Sequence, residues 1–549
     1  MKRPVLVLGL LLTVTAGGAG LRLVSLDNRP MHCDEGVHAV KFGELLEKGK
    51  YEYDPAEYHG PGLNYLTLPI AWLAGAARLT DVTEVHLRLL LAVFGIALIA
   101  GTLLLWDGLG PWAAVCAAAL AAVSPAMIFF SRYYIQEMLL VCFTFYALAA
   151  CWRWLRSNRP AARAAWLVLA GVCFGMMHVA KETCAIAVFA MVVAAAAMML
   201  RRRRGVRASQ SSAPQAPWPR LKCLAGPAGL VLLVAVVVSV LFYSSFFTNA
   251  DGPADSIRTY TKYVHRAAGT PEEASWHVHP WHYYAEILLW WHHGGAVWTE
   301  AFIIALAVAG FGFAIAGRGA APGGVALVRF LGVYTIVMVL VYSILPYKTP
   351  WCMLGFLHGL ILLGGFGAVQ LVRAAPGRAG KAAAAVVLLA AGGHLGWQGW
   401  RGSFAACEDP GNPYVYAHTT SDVRRLVARI EEYAAVHPDG HGMPIQVICP
   451  AHDYWPLPWN LRRFTRAGFD DHVPDKGAIA PVVITQPALE ADLTRRIFEI
   501  YEAAPFEQRH LYMTVFENLQ LRHGVPLRAY VRKDLWEAWA AAHAPEVPQ

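Results

Sequence analysis

The sequence predicts an all-α polytopic membrane domain of about 11 transmembrane helices followed by a C-terminal soluble α/β domain. Of the 549 residues, 56% are hydrophobic and only 15% are charged, whereas soluble domains carry about 25% charged residues. Long apolar runs recur up to residue 400. Beyond residue 402 the pattern changes to short β-branched runs and amphipathic stretches.

Apolar runs of the length that a membrane helix needs, about 20 residues, predict the spans. They lie at 4–24, 86–106, 111–130, 135–154, 163–181, 183–200, 225–246, 298–317, 325–345, 351–372 and 382–400. A further run from Leu63 to Ala77 is shorter and contains Pro69. We predict that it forms a re-entrant or interfacial helix, because so short a run seldom spans.

The basic residues predict the orientation of these spans. Arginine and lysine cluster in the loops at 153–163, 201–222 and 373–381, and cytoplasmic loops are the basic ones. With the N-terminus inside, these loops are cytoplasmic, whereas counting Leu63 to Ala77 as a span would place them outside. This pattern accounts for the net charge of +8 without a nucleic-acid partner. We also expect the run Arg201 to Arg204 to contact anionic membrane lipids.

The same orientation places three regions outside the cytoplasm. We predict a transmembrane domain at 1–400 with outer loops at 25–85 and 247–297, and an extracytoplasmic α/β domain at 402–549. A domain of about 140 residues is large enough for its own core. Its predicted strands are Ile445–Ile448, Val482–Thr485 and Leu511–Val515, and its predicted helices are Ser421–Ala435, Leu489–Ala503 and Lys533–Ala542.

Ionisable residues interrupt apolar sequence at the predicted outer ends of several spans. Ionisable groups near the bilayer core usually serve a function, and these all face one compartment. We therefore predict a shared cavity. Its members are Asp34, Glu35, His59, Arg132, Tyr133, Glu137, Lys181, Glu182, Tyr347, Lys348 and Trp351.

These residue types suit transfer of a group from a lipid-linked phosphate. A carboxylate such as Asp34, Glu35 or Glu137 can take a proton from an acceptor hydroxyl. Cations can hold a phosphate leaving group, and we assign this role to Arg132, Lys181 and Lys348, with Tyr347 beside them. We assign contacts with the acceptor or the sugar to His59, Tyr133, Glu182 and Trp351.

Other interpretations of the same residues stay open. A divalent metal could bind to His32, Asp34, Glu35 and His38, because Asp34 and His38 lie four residues apart, and Glu137 is a further candidate ligand; the sequence shows no full ligand set and establishes no cofactor. Asp34 and Glu35 could instead begin a helix. Arg132 could anchor at the interface, Lys181 and Glu182 could be a structural ion pair, and Lys348 could be a turn cation.

The order of several motifs resembles one group of known enzymes. The segments His59–Tyr65, Val85–Leu89, Ser124–Ala126 and Ser131–Glu137 follow an outer Asp34-Glu35 pair. This order is similar to that of GT-C glycosyltransferases in the protein O-mannosyltransferase and aminoarabinose-transferase branch. With Ser343–Trp351 and Tyr454–Trp459, the chain resembles still more closely the flippase-activity-associated proteins of archaeal N-glycosylation and their bacterial relatives.

The resemblance implies an inverting glycosyltransferase of the hexosyltransferase type in the cytoplasmic membrane, with its active site outside. Its donor would be a polyprenyl-phosphate-linked sugar, and its acceptor a protein, a lipid or a glycan. It implies that Asp34 is the catalytic aspartate and that Glu137 is the acidic residue of the second outer loop. The segment His178 to Glu182 differs from the Lys-Gly pair usual in aminoarabinose transferases.

Two other functions are compatible with the sequence. The first is a lipid-linked-sugar flippase, or an accessory of one, without transferase activity. Against it, the sequence shows no inverted repeats, which many secondary transporters have. The second is an interaction scaffold whose C-terminal domain recruits partners.

Overall fold

A computed structural model of the chain describes residues 2–56, 59–208, 224–267, 277–318 and 322–544. Residues 209–222 of the predicted basic loop at 201–222 lie outside the described residues. The chain forms two compact units. The helical unit comprises Met1–Leu26, Lys48–Ala74 and Val85–Tyr416, and the sheet unit comprises Asp27–Glu47, Gly75–Glu84 and Ala417–Gln549.

Helices make up most of the chain. Numbered in chain order, they are α1 Lys2–Leu23, α2 Cys33–Lys48, α3 Gly62–Leu73, α4 Glu84–Gly101, α5 Trp106–Leu109, α6 Pro111–Val123, α7 Pro125–Phe130, α8 Glu137–Arg156, α9 Pro160–Ala180, α10 Cys184–Ala208, α11 Ala225–Tyr243, α12 Gly252–Ala267, α13 Tyr283–Leu289, α14 Ala301–Ile315, α15 Pro322–Ile344, α16 Leu354–Ala374, α17 Gly377–Trp400, α18 Asp422–Val436, α19 Leu457–Asn460, α20 Glu490–Ala503 and α21 Lys533–Ala542.

The predicted fold class is confirmed. Among the described residues, nine helices are long and apolar enough to cross a membrane, and each overlaps one of the predicted runs. The two remaining runs contain the shorter apolar helices α6 and α14. The run from Leu63 to Ala77 contains α3, with Pro69 inside it and with Trp72 and Leu73 exposed. Its re-entrant or interfacial placement stays a prediction.

The predicted span at 111–130 is divided into α6 and α7 at Ser124-Pro125. Proline has no N–H, so Pro125 cannot donate to the carbonyl of Ala121 as a continuous helix would require. The buried guanidinium of Arg22, on α1, donates to that carbonyl instead at 2.8 Å. Ser124 then begins α7, with its hydroxyl accepting from the N–H of Met127.

The sheet unit contains a five-stranded mixed sheet. Its strands are β1 Ile445–Ile448, β2 Ala467–Asp470, β3 Val482–Thr485, β4 Tyr512–Arg522 and β5 Val525–Arg532. Their spatial order is β2-β1-β3-β5-β4. Strand β1 runs parallel to β2 and β3, whereas β5 is antiparallel to β3 and β4.

Helices cover both faces of this sheet. Val482 and Ile484 of β3 belong to a core that also contains residues of α18 and α21. Val483, between them, faces the opposite core together with Leu493 of α20. A strand covered on both faces is apolar along its length, which explains the continuous apolar run Val482–Ile484.

The predicted strands in this unit are observed, but two further strands were missed. Strands β1 and β3 match their predicted bounds, and the predicted run Leu511–Val515 lies at the start of the longer β4. Strand β2 has the sequence Ala-Gly-Phe-Asp, which has little β propensity. Strand β5 contains Pro526, a residue that argues against a central strand. Its position next to β3 shows that tertiary pairing outweighs this signal.

The units divide the first outer loop differently from the predicted domains. We predicted that residues 25–85 belong to the transmembrane domain, but Asp27–Glu47 and Gly75–Glu84 belong to the sheet unit, whose C-terminal part begins at Ala417 rather than at 402. The indole N–H of Trp459 donates to Glu84 Oε1 at 3.0 Å. A Cβ on Gly36 of α2 would lie 2.7 Å from Pro456 Cβ, so α2 packs closely against Pro456 at this glycine. Local sequence patterns carry no information about such long-range packing.

Candidate active site

A buried ion pair joins α8 and α9 in the helical unit. Glu137 is the first residue of α8, and Lys181 directly follows α9. The Lys181 ammonium contacts Glu137 Oε1, and the two side chains are 7% and 6% exposed. Burial disfavours the charged form of Lys181, but Glu137 and Glu182 outweigh this and hold its pKa above the ordinary value. The site therefore keeps a charged ammonium away from bulk solvent.

A small cavity adjoins this pair. It has a volume of about 20 Å³, and Glu137, Thr183, Tyr342, Trp351 and Cys352 are among the residues that line it. Trp351 is buried and packs against Tyr133, with ring centroids 5.7 Å apart. The structure thus brings four predicted site residues close together: Glu137, Lys181, Tyr133 and Trp351.

Glu182, next to Lys181, makes a second buried polar cluster. Its Oε2 lies 2.8 Å from His59 Nδ1, and its Oε1 accepts from the Tyr53 hydroxyl at 3.3 Å. The Tyr263 hydroxyl is 2.6 Å from the same His59 nitrogen. Burial disfavours ionisation of Glu182, but His59 and Lys181 outweigh it and hold the pKa of this carboxyl below its ordinary value.

Lys348 and Tyr347 occupy a separate strand-like segment. The Lys348 ammonium donates to the carbonyls of His279, at 3.0 Å, and Leu345. Its burial lowers its pKa from the ordinary value. Tyr347 packs on His277, with ring centroids 4.7 Å apart. These contacts match the turn-cation interpretation of Lys348, and its role toward phosphate stays a prediction.

Arg132 caps the end of α1. Its guanidinium donates to the carbonyls of Arg22 at 3.2 Å, Val24 at 2.6 Å and Ser25 at 2.6 Å. It also stacks over the Phe404 ring, 4.3 Å from the centroid. The last carbonyls of a helix need such donors. These contacts point to a structural role for Arg132 rather than to the predicted phosphate contact.

The Asp34-Glu35 pair begins α2 in the sheet unit, and its two members differ in exposure. Glu35 is fully buried; it accepts from the His32 N–H at 3.0 Å and lies 3.7 Å from Arg29 Nη2. These contacts satisfy the start of the helix, as the capping alternative anticipated. The Asp34 side chain is 44% exposed. Of the two carboxylates, Asp34 is therefore the one that can meet a substrate.

One group of described residues has the side chains for a metal. The ligand atoms of His32, Cys33 and Asp34 lie within 4.8 Å of one another. His38, which we predicted as a ligand with Asp34, is buried and is not part of this group. Imidazole, thiolate and carboxylate are ligands that suit Zn²⁺. However, His32 Nδ1 accepts a hydrogen bond from the Asp34 N–H at 3.0 Å, so this nitrogen is already occupied and does not serve as a metal ligand.

Several side chains of the site were not predicted from the sequence. The hydroxyls of Tyr53 and Tyr263 hydrogen-bond to members of the Glu182 cluster. Thr183 and Tyr342 line the small cavity. Tyr263 lies in α12, a strongly amphipathic helix within the predicted outer loop at 247–297. That amphipathic pattern is the one signal in the sequence that could have identified α12.

Comparisons with known proteins support this fold. The family model described as dolichyl-phosphate-mannose-protein mannosyltransferase matches residues 64–249, which include Glu137, Lys181 and Glu182. A search of curated protein sequences returns no match.

Two solved structures are similar over most of the chain. ArnT from Cupriavidus metallidurans, bound to undecaprenyl phosphate, superimposes with a TM-score of 0.58 at 16% identity, covering 95% of this chain and 98% of that one. The oligosaccharyltransferase of Archaeoglobus fulgidus in its apo form superimposes with a TM-score of 0.54 at 13% identity, covering 98% of this chain and 78% of that one. At these identities the two matches show the fold alone, and the chain shares the fold of these two proteins.

Proposed function

We propose that the protein is a multi-pass glycosyltransferase of the cytoplasmic membrane that moves a sugar from a polyprenyl-phosphate-linked donor to an extracytoplasmic protein, lipid or glycan. The observation that carries this function is the buried, charged Glu137–Lys181 pair beside Trp351. Buried ionisable pairs in membrane helices mark sites of substrate or ion handling. The similar ArnT structure is bound to undecaprenyl phosphate, which has the chemistry of the proposed leaving group.

Lys181 is the best-placed cation for the donor phosphate. An ammonium has three N–H donors, and in the described part of the chain Glu137 is the only side chain to which Lys181 donates a hydrogen bond. Two donors are therefore left for phosphate oxygens. Lys348 already donates to two carbonyls, which leaves one donor. We assign Lys181 the main contact with the leaving phosphate and Lys348 a supporting one.

Asp34 is the proposed general base. An acceptor nucleophile attacks the anomeric carbon, the bond from that carbon to the phosphate oxygen breaks, and Asp34 takes the acceptor proton. The bonding electrons leave with the polyprenyl phosphate, whose charge the lysines stabilise. A single displacement of this kind inverts the anomeric configuration. Asp34 is supported in this role by its exposure and by the sequence resemblance.

The remaining predicted contacts suit a sugar. Trp351 and Tyr133 provide aromatic surface, and the Glu182 cluster offers a carboxylate, an imidazole and two hydroxyls as hydrogen-bonding groups. We propose that these groups contact the sugar or the acceptor. Glu137 would then orient Lys181 rather than act as a second base.

The experiment compares Asp34→Asn with Glu35→Gln in purified full-length protein. We expect Asp34→Asn to lower the transfer rate by about 10²–10⁴-fold, the usual contribution of a general base, while the protein stays folded. Glu35→Gln should mainly lower stability, because Glu35 holds the start of α2. Transfer by a folded Asp34→Asn protein at the wild-type rate would remove Asp34 from the role of base.

A further inference from the structure

An apolar cavity lies between the membrane helices, away from the candidate active site. It has a volume of about 320 Å³, within the range of ligand pockets, and its lining is almost entirely apolar. Residues of α8, α9, α10, α11 and α15 contribute to it. On α8 the lining begins at Phe145 and ends at Leu155, about two to five turns beyond Glu137. The cavity therefore lies toward the opposite end of α8 from the ion pair.

Arginines lie next to residues that line this cavity. Arg201 follows Met199 by two residues on α10, and Arg329 directly precedes Phe330 on α15. The Arg163 guanidinium lies 5.1 Å from the ring centroid of Trp154, another lining residue. The Arg163 guanidinium therefore stacks on the lining, and Arg201 and Arg329 lie within two residues of lining residues along their helices.

Among the described residues, two of these arginines have no carboxylate partner. Arg201 is exposed, and Arg329 donates to the carbonyls of Ala314 at 2.7 Å and Ile315 at 3.2 Å. Neither makes an ion pair within the described part of the chain, and their like charges lie close enough to interact. By contrast, Asp107 at the same end forms ion pairs with Arg153 and Arg156. Two neighbouring guanidinium groups that lack a carboxylate partner in the described part of the chain favour a bound anion.

The polyprenyl tail of the donor does not suit this cavity. The small cavity beside Glu137 and Lys181 shares no lining residue with the larger cavity, so a tail whose phosphate binds Lys181 would begin outside the larger cavity. An occupant whose charged group lies at the arginine end suits the larger cavity better. It must be apolar enough for the lining and must carry a negative charge at its outer end.

We propose that this cavity binds an acyl chain of an anionic phospholipid, with the lipid phosphate at Arg201 and Arg329. A guanidinium matches phosphate oxygens with paired N–H donors, and an acyl chain gains by leaving water for an apolar cavity. The site would hold α10 and α15 together at the basic end. It would bind lipid whether or not the protein transfers sugar.

The test measures lipid binding to the full-length protein in phosphatidylcholine nanodiscs, titrated with phosphatidylglycerol and read by native mass spectrometry. We expect phosphatidylglycerol to bind at least tenfold more tightly than added phosphatidylcholine. Ala195→Phe places a ring in the cavity and should weaken this binding at least fivefold. Ala196→Phe is the matched control, because Ala196 is exposed and does not line the cavity.

A second variant separates the charge from the cavity. Arg201→Gln should reduce the preference for phosphatidylglycerol at least fivefold, whereas Arg378→Gln, an exposed arginine on α17, should not. Equal binding of the two phospholipids, or wild-type binding by Ala195→Phe, would overturn the proposal. Displacement of phosphatidylglycerol by equimolar polyprenyl phosphate would overturn it as well, because it would assign the cavity to the donor tail.

Discussion

Glu137→Gln tests whether the buried ion pair holds the helical unit together. A pair on the surface contributes about 0–1 kcal/mol, because water screens it. Glu137 and Lys181 are only 6% and 7% exposed, so this estimate does not apply. Removing one partner of a buried pair leaves the other charge buried without compensation, at a cost of about 3–5 kcal/mol. We expect Glu137→Gln and Lys181→Met each to lower the free energy of unfolding by about this amount.

The assay is reversible unfolding of the purified protein in mixed micelles, completed as a double-mutant cycle. The double variant contains no unpaired charge, so it should be destabilised by clearly less than the sum of the two single variants. Glu52→Gln is the matched control, because Glu52 forms an exposed pair with Lys50. A loss of unfolding free energy in Glu137→Gln no larger than in Glu52→Gln, or simple addition of the two single effects, would contradict this expectation.

Three further predictions concern other contacts. Arg132→Gln should lower stability by about 1–3 kcal/mol while the affinity for the donor lipid is kept, because the structure places Arg132 on helix carbonyls; a selective loss of donor binding would contradict this. The folded-state pKa of Glu182 lies below its unfolded value, so its stabilisation is present at neutral pH and is lost as pH falls through the folded pKa. The free energy of unfolding should therefore fall less between pH 6 and pH 3 for Glu182→Gln than for wild type. Equal slopes of this free energy against pH would contradict the prediction. Trp459→Phe removes the bond to Glu84 and should cost about 1–3 kcal/mol, whereas an unchanged unfolding midpoint would show that this bond contributes nothing.

The membrane helices could be predicted from the sequence because their signal is local. A run of about 20 apolar residues is sufficient to identify α8 or α10, and no knowledge of their neighbours is needed. The same applies to β3, whose four residues are all apolar or β-branched. The division of the span at 111–130 was missed, although Pro125 was visible, because its consequence depends on Arg22 of another helix.

The candidate site could be predicted only in part. The Glu137–Lys181 pair combines two residues that each interrupt apolar sequence, and this rule identified both. The same rule also selected Arg132 and Glu35. Arg132 donates to backbone carbonyls and Glu35 accepts from a backbone N–H, and a sequence pattern does not show such backbone partners. Tyr53 and Tyr263 were missed because tyrosines are common at membrane interfaces and carry no special signal there.

Sugar transfer in reconstituted liposomes tests the central claim most directly. Full-length protein would be supplied with a polyprenyl-phosphate-linked hexose labelled in the sugar, together with a mixture of candidate protein, lipid and glycan acceptors. We predict release of free polyprenyl phosphate and label joined to an acceptor in the inverted anomeric configuration, with both lost in a folded Lys181→Met variant. Intact donor crossing the bilayer without cleavage of the sugar–phosphate bond would contradict the account.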